Sequence, residues 1–352
     1  MKPLDCIIIG AGQSGLYTAH CLDNMNLNYL VIERNQVGDV WRNRLKGMKL
    51  FTSRQFCSLP GLTFPGDANT FPNVTEVADY LQNYADHFNL IISEKTNVQS
   101  VSKKDNLFVV KTSDGDTYQS KTIINATGSN QVCIVPDMSR GLSKSVTQYT
   151  ADTNSFDSIP NDSRVVVVGA GASGRQIAGK LAEQCQKVIL ATGRERGLPP
   201  NTVAGKDIFW WLRKIGVLFA DTNSLVAKVL KKRNPVPCGN VNNKNLKNKG
   251  VDIYGRVVSC NDKNIGFSCG AESTVDAVIW AIGYRDDTSW LQIDKCVDNN
   301  EFKHHYGVSP EPGLFIVGRK WLSCRASELI MGVERDVNRV MKGLTSYLGE
   351  TN

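Results

Sequence analysis

The alternation of apolar and polar positions repeats one supersecondary pattern. Residues 6–9 form a short, largely β-branched run of the kind buried in a parallel sheet. After a glycine-rich turn, Leu16, Ala19, Leu22 and Met25 recur at helical spacing. Residues 26–28 then break the helix, and Tyr29–Ile32 is a second strand. The pattern returns with a strand at Arg164–Val168, a helix face of Ile177, Ala178, Leu181, Ala182 and Cys185, and a strand at 188–191. Between the two units, Asn73 is placed to cap a helix whose face is Val77, Tyr80, Leu81, Tyr84 and Phe88. Residues 90–124 read as a β-meander with a hairpin turn at Asp114 and Gly115, and residues 136–160 as an aperiodic connection. Downstream, the aromatic stretch around Phe209, Trp210 and Trp211 is helical, ready to line a pocket or dock between domains. Strands are expected at 249–258, 265–269, 277–281 and 314–317, and a last helix from about Gly332. The expected fold is α/β: two Rossmann-like, three-layer dinucleotide-binding domains. Residues 1–150 and 286–352 form the first, and residues 151–285 are inserted as the second.

The turns carry the chemistry. GAGQSG fills 10–15 and GAGASG fills 169–174, each between strand and helix, the context that makes GxGxxG a nucleotide site. Gly10 and Gly169 allow the tight turn, Gly12 and Gly171 the approach of a pyrophosphate, and Gly15 and Gly174 the packing of helix on strand. Ser14 and Ser173 open the helices, whose N-termini favour phosphate. The first unit ends at Glu33, 18 residues past Gly15 (33 − 15), where a carboxylate accepts hydrogen bonds from a ribose. The second ends at Thr192, again 18 residues on (192 − 174), with Arg194 and Arg196 in place of an acid. Arginines there suit a 2′-phosphate, which an acidic residue would repel. A free-ribose adenosine coenzyme followed by NADPH is the order of two-domain flavoproteins with FAD first. Trp41, Arg42 and Arg44 suit a ring cover and phosphate partners, although Trp41 also suits a core cap. The Ala126–Thr127–Gly128 turn and Gly318 bring backbone close to the first nucleotide.

Charge and composition remove other classes. Lys and Arg total 41 against 34 acidic residues, a net +7. The basic stretch at 228–249 has few interleaved aromatics, so a solvated loop is expected and nucleic acid is not. The ten cysteines include no CxxC pair and no Cys/His cluster, so free thiols of a reducing compartment are expected, with no metal. A flavin-side disulfide, as in thioredoxin or glutathione reductases, is excluded on the same ground. With no room for a signal peptide and no membrane-length apolar run, a cytoplasmic protein is expected.

The segments GAGQSG, VIER, WRNR, LKGMKLFTSRQFCSLPGLTFP and FPNVTEVADYLQNYADHF resemble class B flavin-containing monooxygenases, above all short bacterial members and plant YUCCA-type enzymes. The likeness continues through INATG, GAGASGRQIA, DIFWW, VIWAIGY, GLFIVGRKW and RASELIMG, nearly the whole chain. The resemblance implies FAD at Gly10, Gly12, Ser14, Gly15, Glu33, Arg34, Trp41 and Ala126–Thr127–Gly128, with Val98 giving adenine a backbone contact. It implies NADPH at Gly169, Gly171, Ser173, Gly174, Arg194 and Arg196. It also implies oxygen transfer from a flavin C4a-hydroperoxide to a small organic substrate: N- or S-oxygenation, Baeyer–Villiger insertion or oxidative decarboxylation of a 2-oxo acid. Arg42 and Phe51 are then candidates for the reacting face. Two departures stand out. The family's FxGxxxHxxx(Y/F/W) linker is matched only by VTQYTADTNSF, with Tyr149 for the histidine and Thr153 for the last aromatic, and Phe51 stands where many members carry Asn. Phe51 implies looser cofactor control and more wasted peroxide; the linker departure favours the alternative, an NADPH-dependent FAD oxidase or reductase passing electrons to oxygen or a quinone. The expected partners are a small substrate and O2, with a homodimer left open.

Overall fold

The computed structural model describes residues 2–184, 187–194 and 196–351, the side chain of Thr351 excepted. The helix-face position Cys185 lies outside the described residues. The chain begins with β1 (Leu4–Ile9), α1 (Gln13–Asn24) and β2 (Tyr29–Ile32), then a single turn α2 (Asp39–Arg42). Helix α3 (Val74–His87) starts where the cap was expected: Asn73 accepts from the Glu76 N–H, and the Glu76 carboxylate accepts from the Asn73 N–H. Next come β3 (Ile92–Ser93), β4 (Val98–Lys104), β5 (Leu107–Thr112) and β6 (Thr117–Asn125).

These strands form one sheet in the order β3-β2-β1-β6-β5-β4. β3, β2, β1 and β6 are parallel, and the β4–β5–β6 meander is antiparallel. One face packs Leu16, Ala19 and Leu22 of α1 with Tyr80, Leu81 and Tyr84 of α3. The other packs Ile7, Ile9 and Ile32 against Val101, Phe108 and Val110 of the meander. Successive β1 residues alternate between the two cores, as a strand buried on both faces must.

The chain crosses at β7 (Val132–Cys133) into the second sheet: β8 (Thr147–Thr150), β9 (Arg164–Val168), α4 (Ala172–Glu183) and β10 (Lys187–Ala191). A hairpin, β11 (Thr202–Val203) and β12 (Lys206–Asp207), leads to helices α5 (Ile208–Lys214), α6 (Leu225–Arg233) and α7 (Asn243–Asn248). Then come β13 (Asp252–Tyr254), β14 (Val257–Asn261), β15 (Asn264–Phe267), β16 (Glu272–Thr274) and β17 (Ala277–Trp280). The order β13-β10-β9-β17-β8 is parallel throughout, with the antiparallel β14–β15–β16 as a third layer. The return runs through β18 (Tyr284–Arg285), paired with β7, and a small hairpin β19 (Val297–Asp298) and β20 (Glu301–Phe302). β21 (Leu314–Ile316) joins β6, and α8 (Val333–Thr351) packs against α1.

Two expectations need correction. Residues 136–160 are not a plain connection, because Thr147–Thr150 is a strand of the second sheet. A polar edge strand with no buried alternation gave no apolar signal. The basic stretch is no loop either: it contains α6 and α7, capped by Ser224 and Asn242.

The two domains share a seam. Leu45, Met48 and Val74 of the first sit in the core of the second. Gln176 on α4 accepts from the Lys49 N–H and donates to the Lys49 carbonyl, both at 2.9 Å. Asp207 accepts from the Ser53 N–H at 2.7 Å, anchoring α5.

Candidate active site

Both glycine loops are built as their spacing required. Gly10 has φ +102°, and a Cβ there would lie 2.7 Å from the Ala126 carbonyl oxygen. A Cβ on Gly15 would meet the Gly10 oxygen at 1.9 Å, whereas one on Gly12 meets nothing within 4 Å. The second loop repeats this: Gly169 at φ +110° lies against Ala281, Gly174 against Gly169, and Gly171 faces open space up to an Arg196 guanidinium nitrogen at 4.0 Å. Neither α1 nor α4 has a side-chain cap, so first-turn N–H groups stay free for phosphate. The open side of each middle glycine and these free donors fit a dinucleotide.

The first loop opens into a cavity of about 470 Å³ lined by Gly10, Gly12, Ser14, Glu33, Arg34, Trp41, Val98, Ala126, Thr127, Gly128 and Gly318. Gly15 lies behind it as a packing residue. Glu33 is buried; its carboxylate accepts from the Ala11 and Asn35 N–H groups at 2.8 and 3.0 Å, which fixes it at the loop with lone pairs to spare. The 126–128 turn is held from behind: Asn125 accepts from the Thr127 N–H and hydroxyl, and Arg319, paired with buried Asp286, donates to the Gly128 carbonyl at 2.6 Å.

The second loop opens into a cavity of about 850 Å³ that takes in Gly169, Gly171, Ser173, Arg194, Arg196 and Phe51. Gly174 lies behind it. Gln13, Trp41, Arg44, Asn130, Lys320 and Glu328 line both cavities, so the two spaces meet at a common wall. A third cavity, about 360 Å³, shares residues 48–51, Ala172, Gln176 and Pro237 with the second and reaches Phe51 from outside.

Arg42 is not at the reacting face. It lines none of these cavities; its guanidinium donates to the Val37 carbonyl at 2.6 Å and pairs with Asp39 and Asp79. The single turn of α2 puts Arg42 back over its own N-terminus, while Trp41 and, past the turn, Arg44 face the cavities. Arg44 donates to the Tyr284 hydroxyl at 3.1 Å and lies over that ring. Burial, against the pull of Arg44, pushes the Tyr284 phenol up to about 12, so it stays a neutral hydroxyl. Phe51 lines the second and third cavities but not the first, and stacks on Phe209 at 5.8 Å.

Sequence reasoning left Gln13, Asn130, Tyr284, Lys320, Glu328 and Arg256, another lining residue of the second cavity, without roles. VIWAIGY, GLFIVGRKW and RASELIMG contained three of them, Tyr284, Lys320 and Glu328; only the tertiary fold brings those ends together. Trp210 and Trp211 line none of the three cavities; Trp210 packs in the α5 docking cluster and Trp211 donates to the Val203 carbonyl. Among the described residues, no cysteine lines the first or second cavity, no cluster could hold a metal, and no helix is long and apolar enough to cross a membrane.

Residues 7–204 match the family model described as pyridine nucleotide-disulphide oxidoreductase. The chain is 35% identical to an uncharacterized oxidoreductase, CzcO-like, of Geobacillus kaustophilus, over 98% of this chain and 99% of that one. It is 27% identical to the probable indole-3-pyruvate monooxygenase YUCCA8 of Arabidopsis thaliana, over 95% and 88% of the two chains. A flavin-containing monooxygenase from Stenotrophomonas maltophilia superposes with a TM-score of 0.82 at 23% identity, covering 99% of this chain and 100% of that one. With two complete nucleotide cradles meeting at one wall, the chain belongs to the pyridine nucleotide-disulphide oxidoreductase family.

Proposed function

We propose that the protein is an NADPH-dependent flavoprotein monooxygenase, with FAD on the first cradle and NADPH on the second, that delivers one oxygen atom to a small organic substrate. The observation that carries this reading is the common wall, which lets the reactive ends of two nucleotides meet. FAD reduced by NADPH supplies the oxygen-activating chemistry, and the protein positions and shields it. The N-termini of α1 and α4 hold the two pyrophosphates, and Glu33 holds the flavin-side ribose. Trp41 and the Arg44–Tyr284 pair separate and orient the two ring systems at the wall. With both cradles filled, the third cavity gives the substrate an approach, and Phe51, which lines it and the second cavity, meets the substrate and keeps water out. The names of the plant relatives support a 2-oxo acid as one candidate, beside amines and thioethers.

The cavities fit this reading better than disulfide reduction, since no described cysteine stands at either cofactor cavity. One observation favours the oxidase or reductase alternative: Tyr149 of the linker bonds Ser158 at 2.9 Å, packs on Phe156, and does not line the second cavity. Turnover with NADPH and isotopically heavy O2 on a thioether, an amine and an aryl 2-oxo acid decides between them. Heavy oxygen in an organic product supports oxygen transfer. Recovery of all NADPH equivalents as hydrogen peroxide, or their transfer to an added quinone, supports the alternative.

A further inference from the structure

The sequence spacing puts Arg194 and Arg196 together at the 2′-phosphate, and in the structure both line the second cavity. Arg196 reaches back over the glycine loop, with Nη1 4.0 Å from where a Gly171 Cβ would stand. That is the pyrophosphate end of the cradle. Beneath it lies buried Arg175, already bound to the Ala170 and Val241 carbonyls and to Asn243 at 2.8 Å. Its pKa is lowered by burial first and by the charge of Arg196 as well.

Arg256 arrives from a different element. It follows β13, the edge strand that pairs with β10, and its Nη2 lies 3.9 Å from where a Gly193 Cβ would stand. The strand ends are stitched together, since the Thr192 N–H and hydroxyl both bond the Tyr254 carbonyl at 2.9 Å. The Arg256 backbone is pinned to Ser268 by bonds of 3.0 and 2.8 Å. Arg194, Arg196 and Arg256 are exposed, all face the second cavity, and form no ion pair among the described residues. Cations gathered on an open wall repel one another until an anion sits among them.

We propose that Arg256 joins Arg194 in holding the 2′-phosphate of NADPH beside Gly193, while Arg196 serves the pyrophosphate. This rests on the reading that the second cradle takes NADPH. The two duties separate experimentally, because NAD+ has the pyrophosphate and lacks the 2′-phosphate. Calorimetric binding of NADP+ and of NAD+ to the flavin-loaded protein reads them directly, with an unchanged flavin absorption spectrum as the control for folding. Arg256→Gln is expected to weaken NADP+ about tenfold or more, as loss of a charge-assisted contact does, and to leave NAD+ within about twofold. Arg256→Lys should recover part of the loss, and Arg196→Gln should weaken both nucleotides by a similar factor. Unchanged NADP+ binding by Arg256→Gln, or an equal loss for both nucleotides, overturns the assignment. So does a loss confined to NADP+ in Arg196→Gln. A wild-type protein that binds neither nucleotide removes the cradle itself, a different failure seen before any variant is made.

Discussion

Gly12 and Gly15 sit three residues apart, yet their substitutions have opposite consequences. A side chain on Gly15 collides with the Gly10 carbonyl, so Gly15→Ala attacks the fold. A Cβ on Gly12 has no protein atom within 4 Å and enters the space a pyrophosphate needs. Gly12→Val is therefore expected to keep its thermal midpoint without added flavin but to purify colourless; a yellow Gly12→Val protein would refute the first cradle. The arginines after Trp41 make a similar pair. Arg42→Ala should change NADPH-driven flavin reduction by less than about twofold, since Arg42 itself lines none of the cavities. Arg44→Ala should slow that reduction by about tenfold or more, having lost the wall contact to Tyr284; stopped-flow absorbance separates the two. The glycines were legible because each has one steric task at a fixed spacing. Arg42 was misread because its direction depends on where the turn of α2 begins, which composition does not encode.

The elements best read from sequence are those with a local cause. β2 at Tyr29–Ile32 and β9 at Arg164–Val168 match their expected ends, and α3 begins at its capping box. That box gives a prediction. Asn73→Ala should cost about 1 kcal/mol in denaturant unfolding, the usual value of an N-cap. Glu76 is held below its ordinary value by the Asn73 N–H first and by Arg54 second. A depressed folded pKa means that its stabilisation is present above the ordinary glutamate value and is lost as pH falls through the depressed one. Glu76→Gln should therefore flatten the acid side of the stability–pH curve, and an unchanged acid limb would count against the box. By contrast β8, which packs through one polar edge, and α6 and α7, each defined by a single capping residue, depend on tertiary neighbours and were misread.

The molecule as a whole works through its seam. Loop 45–51 belongs to the first domain by chain order but to the core of the second by packing, and Gln176 ties its backbone to α4. That arrangement fixes the angle at which the two cradles face one another, and no periodicity within a single element reports it. The sequence showed two nucleotide sites and their order; the common wall and the third cavity came only with the fold. Gln176→Ala should leave flavin bound and slow its reduction by NADPH, because it loosens the seam while lying clear of the first cradle. The most direct measurement mixes the yellow protein with NADPH in the absence of oxygen and follows the flavin's visible absorption, beside Gly171→Val as control. Bleaching within seconds in the wild type, and none in a Gly171→Val protein that stays yellow, is the expected result. A flavin that NADPH leaves oxidised in the wild type, or a folded wild type that refuses added FAD, would contradict the two facing cradles.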